Sequence, residues 1–385
     1  MPQRFGHILG QTQIAYFSME IGLQSDIPTY SGGLGVLAGD TLRTAADLEL
    51  PLVGVTLVSR MGYFRQQISP QGDQTEAPDP WQPEQIATLL DAKIAVTIAG
   101  RKVWVQAWLY ILEGQTRHPV PVILLDTDLV ENEESDREIT HYLYGGDQAY
   151  RLKQEIVLGI GGAMMLQALG VTIRTYHMNE GHSALLALEL LRIQHLHSRF
   201  SHEHDGHYDT DSVRQLCLFT TPTPVAAGHD KFPYQMVQEL LGDFIELSEL
   251  RRLAGSDSLN MTCLALNLSG YVNGVAKKHA STSSSMYPGY RVHAITNGVH
   301  PSTWTHDALA GLYDRYIPEW RHEAELLVRA DEIPTTELWQ AHMAAKQSLI
   351  DTVSKACGKQ LNPDLPIIGY ARRMTGYKRP DMLFH

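Results

Sequence analysis

The stretch that decides the fold runs from IAYFSM (residues 14–19) to YSGGLGVLAGD (residues 30–40) and on into an amphipathic segment, residues 36–48. A short apolar run rich in aromatic and β-branched residues reads as a buried strand, and a glycine cluster before an amphipathic stretch reads as a tight strand-to-helix turn. The same alternation recurs along the chain. Residues 52–58, 120–125, 173–178, 216–220, 292–296 and 367–371 read as further strands, and residues 149–169, 183–196 and 338–356 read as helices. In the first of these helices Leu152, Ile156, Ile160 and Met164 recur at i, i+4 and form one apolar face, with Gly170 at the C-cap position. Strands alternating with helices predict an α/β, doubly wound parallel sheet. A hairpin, residues 95–98 and 103–109 around Gly100-Arg101, predicts an antiparallel addition.

Composition bounds the function. The chain has 385 residues, with 31 Lys+Arg against 43 Asp+Glu, a formal charge of −12. With 43% hydrophobic and 19% charged residues it is globular, and no disordered, collagenous or disulfide-rich class fits. A pI near 5.8 argues against broad contact with nucleic acid. Cys217, Cys263 and Cys357 are odd in number and lack CxxC spacing, which suits a reducing compartment. No apolar run signals export or membrane spanning, so the cytoplasm is the expected location.

The C-terminus looks like a beginning. Residues 366–371 resemble a new buried strand and residues 377–384 its following helix, yet one strand and one helix do not complete a βαβ unit. The expected organisation is therefore an N-terminal α/β domain over residues 1–360 and the first strand and helix of a second domain over residues 361–385.

Three junctions carry candidate chemistry. Gly32, Gly33 and Leu34 open a helix after a strand, where backbone N–H groups can cradle an anion; a tight structural turn explains the glycines equally well. The run YHMNEGH (residues 176–182) lies where open α/β sheets bind ligands at strand carboxyl ends, or else Asn179 caps the next helix and Glu180 sits in its first turn. Arg372, Arg373, Lys378 and Arg379 cluster at a third junction, as a phosphate site or a solvated basic face. The histidines between His195 and His207 lack fixed ligand spacing and read as a solvated loop, so no metal site is expected.

Taken in order, IAYFSME (14–20), YSGGLGVLAGD (30–40), LVGVTLVSRMGYFRQ (52–66), RLKQEIVLGIGG (151–162), HMNEGHSAL (177–185), YVNGVAKKH (271–279), ITNGVHPSTW (295–304) and IGYARRMTGYKRPDMLF (368–384) resemble the N-terminal portion of the α-glucan (glycogen and maltodextrin) phosphorylases of the short bacterial type. The resemblance implies a glycosyltransferase-B architecture of two Rossmann-like domains. It implies pyridoxal 5′-phosphate, acting through its phosphate as a proton relay, and phosphorolysis of terminal α-1,4 bonds of glucan to α-glucose 1-phosphate with retention. It implies catalytic roles for Arg373 and Lys378, substrate binding by Gly33, Leu34, Glu180, His182 and Asn297, and cofactor binding by Gly32, Gly33 and Arg372, with Glu20 close by. The implied partners are α-1,4-glucan, inorganic phosphate and a complementing C-terminal chain or a second copy.

Two departures from the family pattern stand out. Pro222 occupies the place of a sugar-contacting histidine, and none of Lys346, Lys355, Lys359 and Lys378 stands in the family's Schiff-base motif. A non-catalytic glucan- or sugar-phosphate-binding remnant, or a nucleotide-sugar transferase of the glucan synthase kind, are the alternatives these features leave open.

Overall fold

A computed structural model describes residues 3–201, 208–222, 229–371 and 376–383. It divides into two compact units, Met1–His300 and Pro301–His385. The division at 360/361 drawn from the sequence follows the end of the helix Thr335–Cys357 instead.

In chain order the strands are β1 (Ile14–Ser18), β2 (Leu52–Leu57), β3 (Arg65–Ile68), β4 (Gln74–Ala77), β5 (Thr88–Ile98), β6 (Arg101–Glu113), β7 (Pro119–Asp126), β8 (Thr175–Asn179), β9 (Cys217–Thr221), β10 (Lys231–Pro233), β11 (Ser258–Asn260), β12 (Tyr271–Gly274) and β13 (His293–Ala294). Among the described residues nine of them form one sheet in the order β13-β12-β9-β8-β1-β2-β7-β6-β5. From β13 to β7 neighbours run parallel, while β6 and β5 are antiparallel additions. The hairpin read from the sequence is thus the inner part of a longer one. The pairs β3·β4 and β10·β11 stand apart as small antiparallel ribbons.

Alternation along the central strands shows why the sheet is covered on both faces. Ala15 and Phe17 join one apolar cluster with Val53, Val55, Ile123 and Leu158. Tyr16 joins another with Leu42, Ala38, Val122 and Leu124 on the opposite face. Successive side chains point to opposite faces, so a central parallel strand buried on both reads as a continuous apolar run. All six residues of β2 are buried. The helix Gly33–Asp47 supplies the second cluster, and the helical run Gln148–Ala168 the first. A π-helical turn, Val157–Gly161, interrupts that run. A Cβ on Gly159 would come within 2.7 Å of the Leu186 backbone N, and one on Gly162 within 2.6 Å of the Phe17 ring, so the LGIGG sequence is what lets helix, helix and sheet approach this closely.

The unit Pro301–His385 has its own core of Leu312, Ile317, Trp320, Ile333 and Ala341, with the Trp320 indole donating to Asp314 at 2.8 Å. Its end departs from the expectation. Residues 367–371 form no strand, and Ile368 is 83% exposed. The helix expected over 377–384 is replaced by two short 3₁₀ turns, Gly376–Lys378 and Pro380–Leu383. A strand exists only as a pairing, and no described residue pairs with this one.

Candidate active site

The chain starts in the middle of the sheet: β2 lies on one side of β1, and β8, reached later, lies on the other. Where strand order reverses in this way, the loops leaving adjacent carboxyl ends diverge and open a crevice, the usual ligand position in doubly wound sheets. Ser18-Met19-Glu20 leaves β1 there, and Asn179-Glu180-Gly181-His182 leaves β8. The two ends are tied together: Asn179 Nδ2 donates to Ser18 Oγ at 3.2 Å, and Ser18 Oγ donates to the Glu20 carbonyl at 2.8 Å.

Glu20 organises the glycine-rich turn. Its Oε2 accepts from Ser31 N at 2.6 Å, Gly32 N at 3.1 Å and Ser31 Oγ at 3.3 Å, while Oε1 accepts from the Tyr144 hydroxyl at 3.0 Å. The first N–H groups of the cradle therefore hold the protein's own carboxylate. The glycines divide by task. A Cβ at Gly35 would fall 2.5 Å from Tyr30 Cβ, and one at Gly39 would fall 2.2 Å from the Gly22 carbonyl oxygen, so these two are packing glycines. At Gly32 and Gly33 a Cβ would meet nothing within 4 Å. The helix Gly33–Asp47 begins here, and helix geometry leaves the N–H groups of Gly33 and Leu34 without acceptors in the preceding turn.

Glu180 is 2% exposed and its backbone is strained, with φ 71° and ψ 166°, a region that side-chain-bearing residues rarely adopt and that clusters at ligand sites. Its carboxylate accepts from Gly181 N at 3.1 Å and starts the turn Gly181–Ser183. The cap is thus Glu180, and Asn179 remains in β8. Next to it His182 Nε2 lies 3.5 Å from Asp230 Oδ2, and its ring sits 5.5 Å from that of Tyr144. Burial, reinforced by the nearby Arg151 charge, pushes the His182 imidazole down to about 4, so it is neutral at pH 7.

A buried polar group that the sequence did not single out as a site supports this pair. Arg151 Nε donates to Asp230 Oδ2 at 3.1 Å and lies 3.8 Å from Glu155 Oε1, and its guanidinium stacks 4.4 Å from the Tyr144 ring. Burial and the adjacent Asp230 charge hold the Glu155 carboxyl well above the usual carboxylate range, so it is the protonated partner. Burial alone would push the Asp230 carboxyl up, but His182, Arg151 and the Glu155 carboxyl hold it below its ordinary value. One signal for this group was legible: Arg151 and Glu155 stand at i, i+4 in the helix whose apolar face carries Leu152 and Ile156. Asp230 and Tyr144 come from loops with no such pattern.

The remaining expected residues lie apart. Asn297 is exposed beyond β13, its N–H bonded to the Val275 carbonyl at 3.0 Å, three strand spacings (roughly 14 Å) from β8 along the same carboxyl edge. Pro222 ends β9 and offers a carbonyl and no donor. Lys378 belongs to the other unit, and Arg372 and Arg373 lie outside the described residues, as do His202, His204 and His207. Among the described residues no group of His, Cys, Asp and Glu is arranged to hold a metal ion.

The carboxyl edge also holds unmet hydrogen-bonding capacity. Asn179 Oδ1, His182 Nδ1, Ser183 Oγ, Thr221 Oγ1 and His279 Nε2 are buried without a hydrogen-bond partner. Buried polar atoms are ordinarily satisfied by protein or by water, so this row has hydrogen-bonding capacity left for water or a polar ligand.

No family model matches the chain. It is 37% identical to a maltodextrin phosphorylase of Thermococcus litoralis, over 96% of this chain and 48% of that protein. It is 32% identical to glycogen phosphorylases of Aquifex aeolicus and Mycobacterium tuberculosis, over 96% of this chain and 58% and 48% of theirs. Over nearly its whole length the chain matches part of the α-glucan phosphorylases. It spans about half the length of the curated relatives it matches. For a phosphorylase-family chain the sheet's doubly wound order is the expected Rossmann-like half of a glycosyltransferase-B enzyme. No helix among the described residues is long and apolar enough to cross a membrane.

Proposed function

We propose that this chain forms the glucan-binding part of an α-glucan phosphorylase, a retaining glycosyltransferase that uses inorganic phosphate to cleave the terminal α-1,4 bond of glycogen or maltodextrin and releases α-glucose 1-phosphate in the cytoplasm. The observation that carries the reading is the row of unmet neutral polar atoms at the carboxyl edge of β8, β9 and β12. Neutral donors and acceptors suit sugar hydroxyls, which carry no charge to pair. His182, held neutral, both accepts and donates, and Asp230 and Arg151 fix its ring. The strained Glu180 keeps its carboxylate against the turn that presents His182 and Ser183. The helix start at Gly33 and Leu34 adds positive potential where negative charge gathers on an attacking phosphate or a departing oxygen.

The residues of this chain fit part of the cofactor that the family implies. Gly32 and Gly33 leave room for a phosphate against the helix start, and Arg372, Arg373 and Lys378 are the cations assigned to the substrate and cofactor phosphates. When bound, pyridoxal 5′-phosphate supplies a phosphate that exchanges a proton with inorganic phosphate. Its covalent lysine is assigned to sequence outside these residues, whether on the same polypeptide or on a complementing chain.

Calorimetric titration of the purified chain with maltopentaose tests the reading. Binding that His182→Ala weakens at least tenfold supports it, whereas a wild-type chain that takes up no maltopentaose at millimolar concentration refutes it. With maltodextrin, phosphate and pyridoxal phosphate, the chain alone is expected to form no glucose 1-phosphate, and the complementing half is expected to restore it.

A further inference from the structure

The unmet atoms are not all at β8. Two of them lie elsewhere: Thr221 Oγ1 is at the end of β9, and His279 Nε2 is in the helix Lys277–Met286 that follows β12. Thr221 pairs with Gly274 across the β9·β12 ladder, so their substituents point to the same face of the sheet. At Gly274 there is no side chain, and the His279 ring takes the space: a Cβ there would lie 2.5 Å from His279 Nδ1. The Nδ1 side of the ring therefore sits about one strand spacing, roughly 5 Å, from the Thr221 side chain. His279 is 7% and Thr221 2% exposed. The same nitrogen lies 3.4 Å from Ser283 Oγ, which helps to hold the ring. The Pro222 carbonyl faces the ring without reaching hydrogen-bond geometry at Nε2.

A buried hydroxyl and a buried imidazole nitrogen without partners cost stability unless something brought to the site satisfies them. Burial pushes the His279 imidazole below its ordinary value, so the pair presents a neutral hydroxyl and a neutral ring. Neutral groups at this spacing are bridged by one hydroxyl that donates to one and accepts from the other.

We infer that Thr221 and His279 form a second hydroxyl-binding pocket, one strand along from Glu180 and His182, that fixes a hydroxyl of a glucosyl unit and so contributes to the choice of sugar. The inference rests on the glucan-binding reading and deepens it by assigning two members of that row to a single hydroxyl.

The test is calorimetric titration of the full chain with maltopentaose, paired with thermal melts, for wild type, Thr221→Val and His279→Gln. Thr221→Val is isosteric and removes only the unmet hydroxyl. It should leave the melting temperature unchanged or raised while weakening maltopentaose binding about fivefold, the equivalent of one neutral hydrogen bond. His279→Gln should weaken binding to a similar degree, and the double variant should do little more than either single one, because one hydroxyl serves both groups. Because Thr221→Val keeps the fold, it separates a binding role from a failure to fold in the histidine variant. Wild-type binding that both single variants leave unchanged would overturn this pocket and leave the glucan reading standing. The absence of any wild-type binding would overturn the glucan reading and the pocket with it.

Discussion

Removing the Glu20 carboxylate should release the glycine-rich turn and convert it into an open anion site. Glu20 accepts three hydrogen bonds on Oε2 and one on Oε1, from two backbone N–H groups and two hydroxyls, at 2.6 to 3.3 Å. Bonds to a charged acceptor contribute about 1.5–3 kcal/mol each against about 1 kcal/mol for neutral ones. Glu20→Gln keeps the shape and one carbonyl oxygen, and should cost roughly 1–3 kcal/mol. Glu20→Ala strands the N–H groups of Ser31 and Gly32 beside a new cavity at a residue only 3% exposed, and should cost about 3–5 kcal/mol. Urea unfolding followed by tryptophan fluorescence reads both values. The second half of the prediction is specific: with the carboxylate gone, the freed N–H groups at a helix start should bind phosphate, so millimolar phosphate should raise the stability of Glu20→Ala and leave that of wild type nearly unchanged. A Glu20→Ala chain within about 0.5 kcal/mol of wild type would refute the clamp. A destabilised variant that ignores phosphate would refute the cradle.

Gly39→Ala should destabilise the chain severely or abolish soluble expression, because its Cβ would fall 2.2 Å from a backbone oxygen, whereas Gly33→Ala should fold normally; comparable melts for the two would contradict the division of the glycines. Asp126→Asn should cost about 2–4 kcal/mol, since this fully buried carboxylate holds Arg60 at 2.7 Å and the Trp108 indole at 2.8 Å, and its loss leaves Arg60 with only Glu84 at 3.3 Å and Asp128 at 3.8 Å. Burial would raise the Asp126 carboxyl, yet Arg60, Trp108 and the Asp128 N–H bring it below its ordinary 3.8, so its stabilisation is present above that value and lost as pH falls through the folded one. His177 and His182 are both pushed by burial from 6.5 down to about 4. Their contribution is present above pH 6.5 and lost as pH falls from 6.5 through 4, and His182→Gln should flatten that part of a stability–pH curve. Glu155 has the opposite sign. Its folded value is raised, its stabilisation fades as pH climbs above 4.5, and Glu155→Gln should flatten the curve on that side.

What was legible in the sequence, and what was not, follows from how far each interaction reaches along the chain. The central parallel strands were legible because burial on both faces writes itself as a continuous apolar run, as in β2 and β7. β12 was missed because YVNG is four residues long and half polar, and the sheet alone makes it a strand through Thr220 and Thr221. Residues 367–371 carry the same apolar signature as β1, yet composition fixes only the propensity, and among the described residues no strand pairs with them. The site divides in the same way. Glu180 and His182 were legible because a strand-to-helix junction confines chemistry to a few consecutive residues. The group that positions them was not, since Tyr144, Arg151 and Asp230 converge from three separate stretches. The glycine-rich turn shows the difference most clearly. From sequence its N–H groups read as an anion cradle or as a tight turn, and in the structure the Ser31 and Gly32 N–H groups hold the carboxylate of Glu20, eleven residues upstream of Ser31. Under the proposed reading, an anion entering this turn would next meet the N–H groups of Gly33 and Leu34, because those of Ser31 and Gly32 already face the native carboxylate.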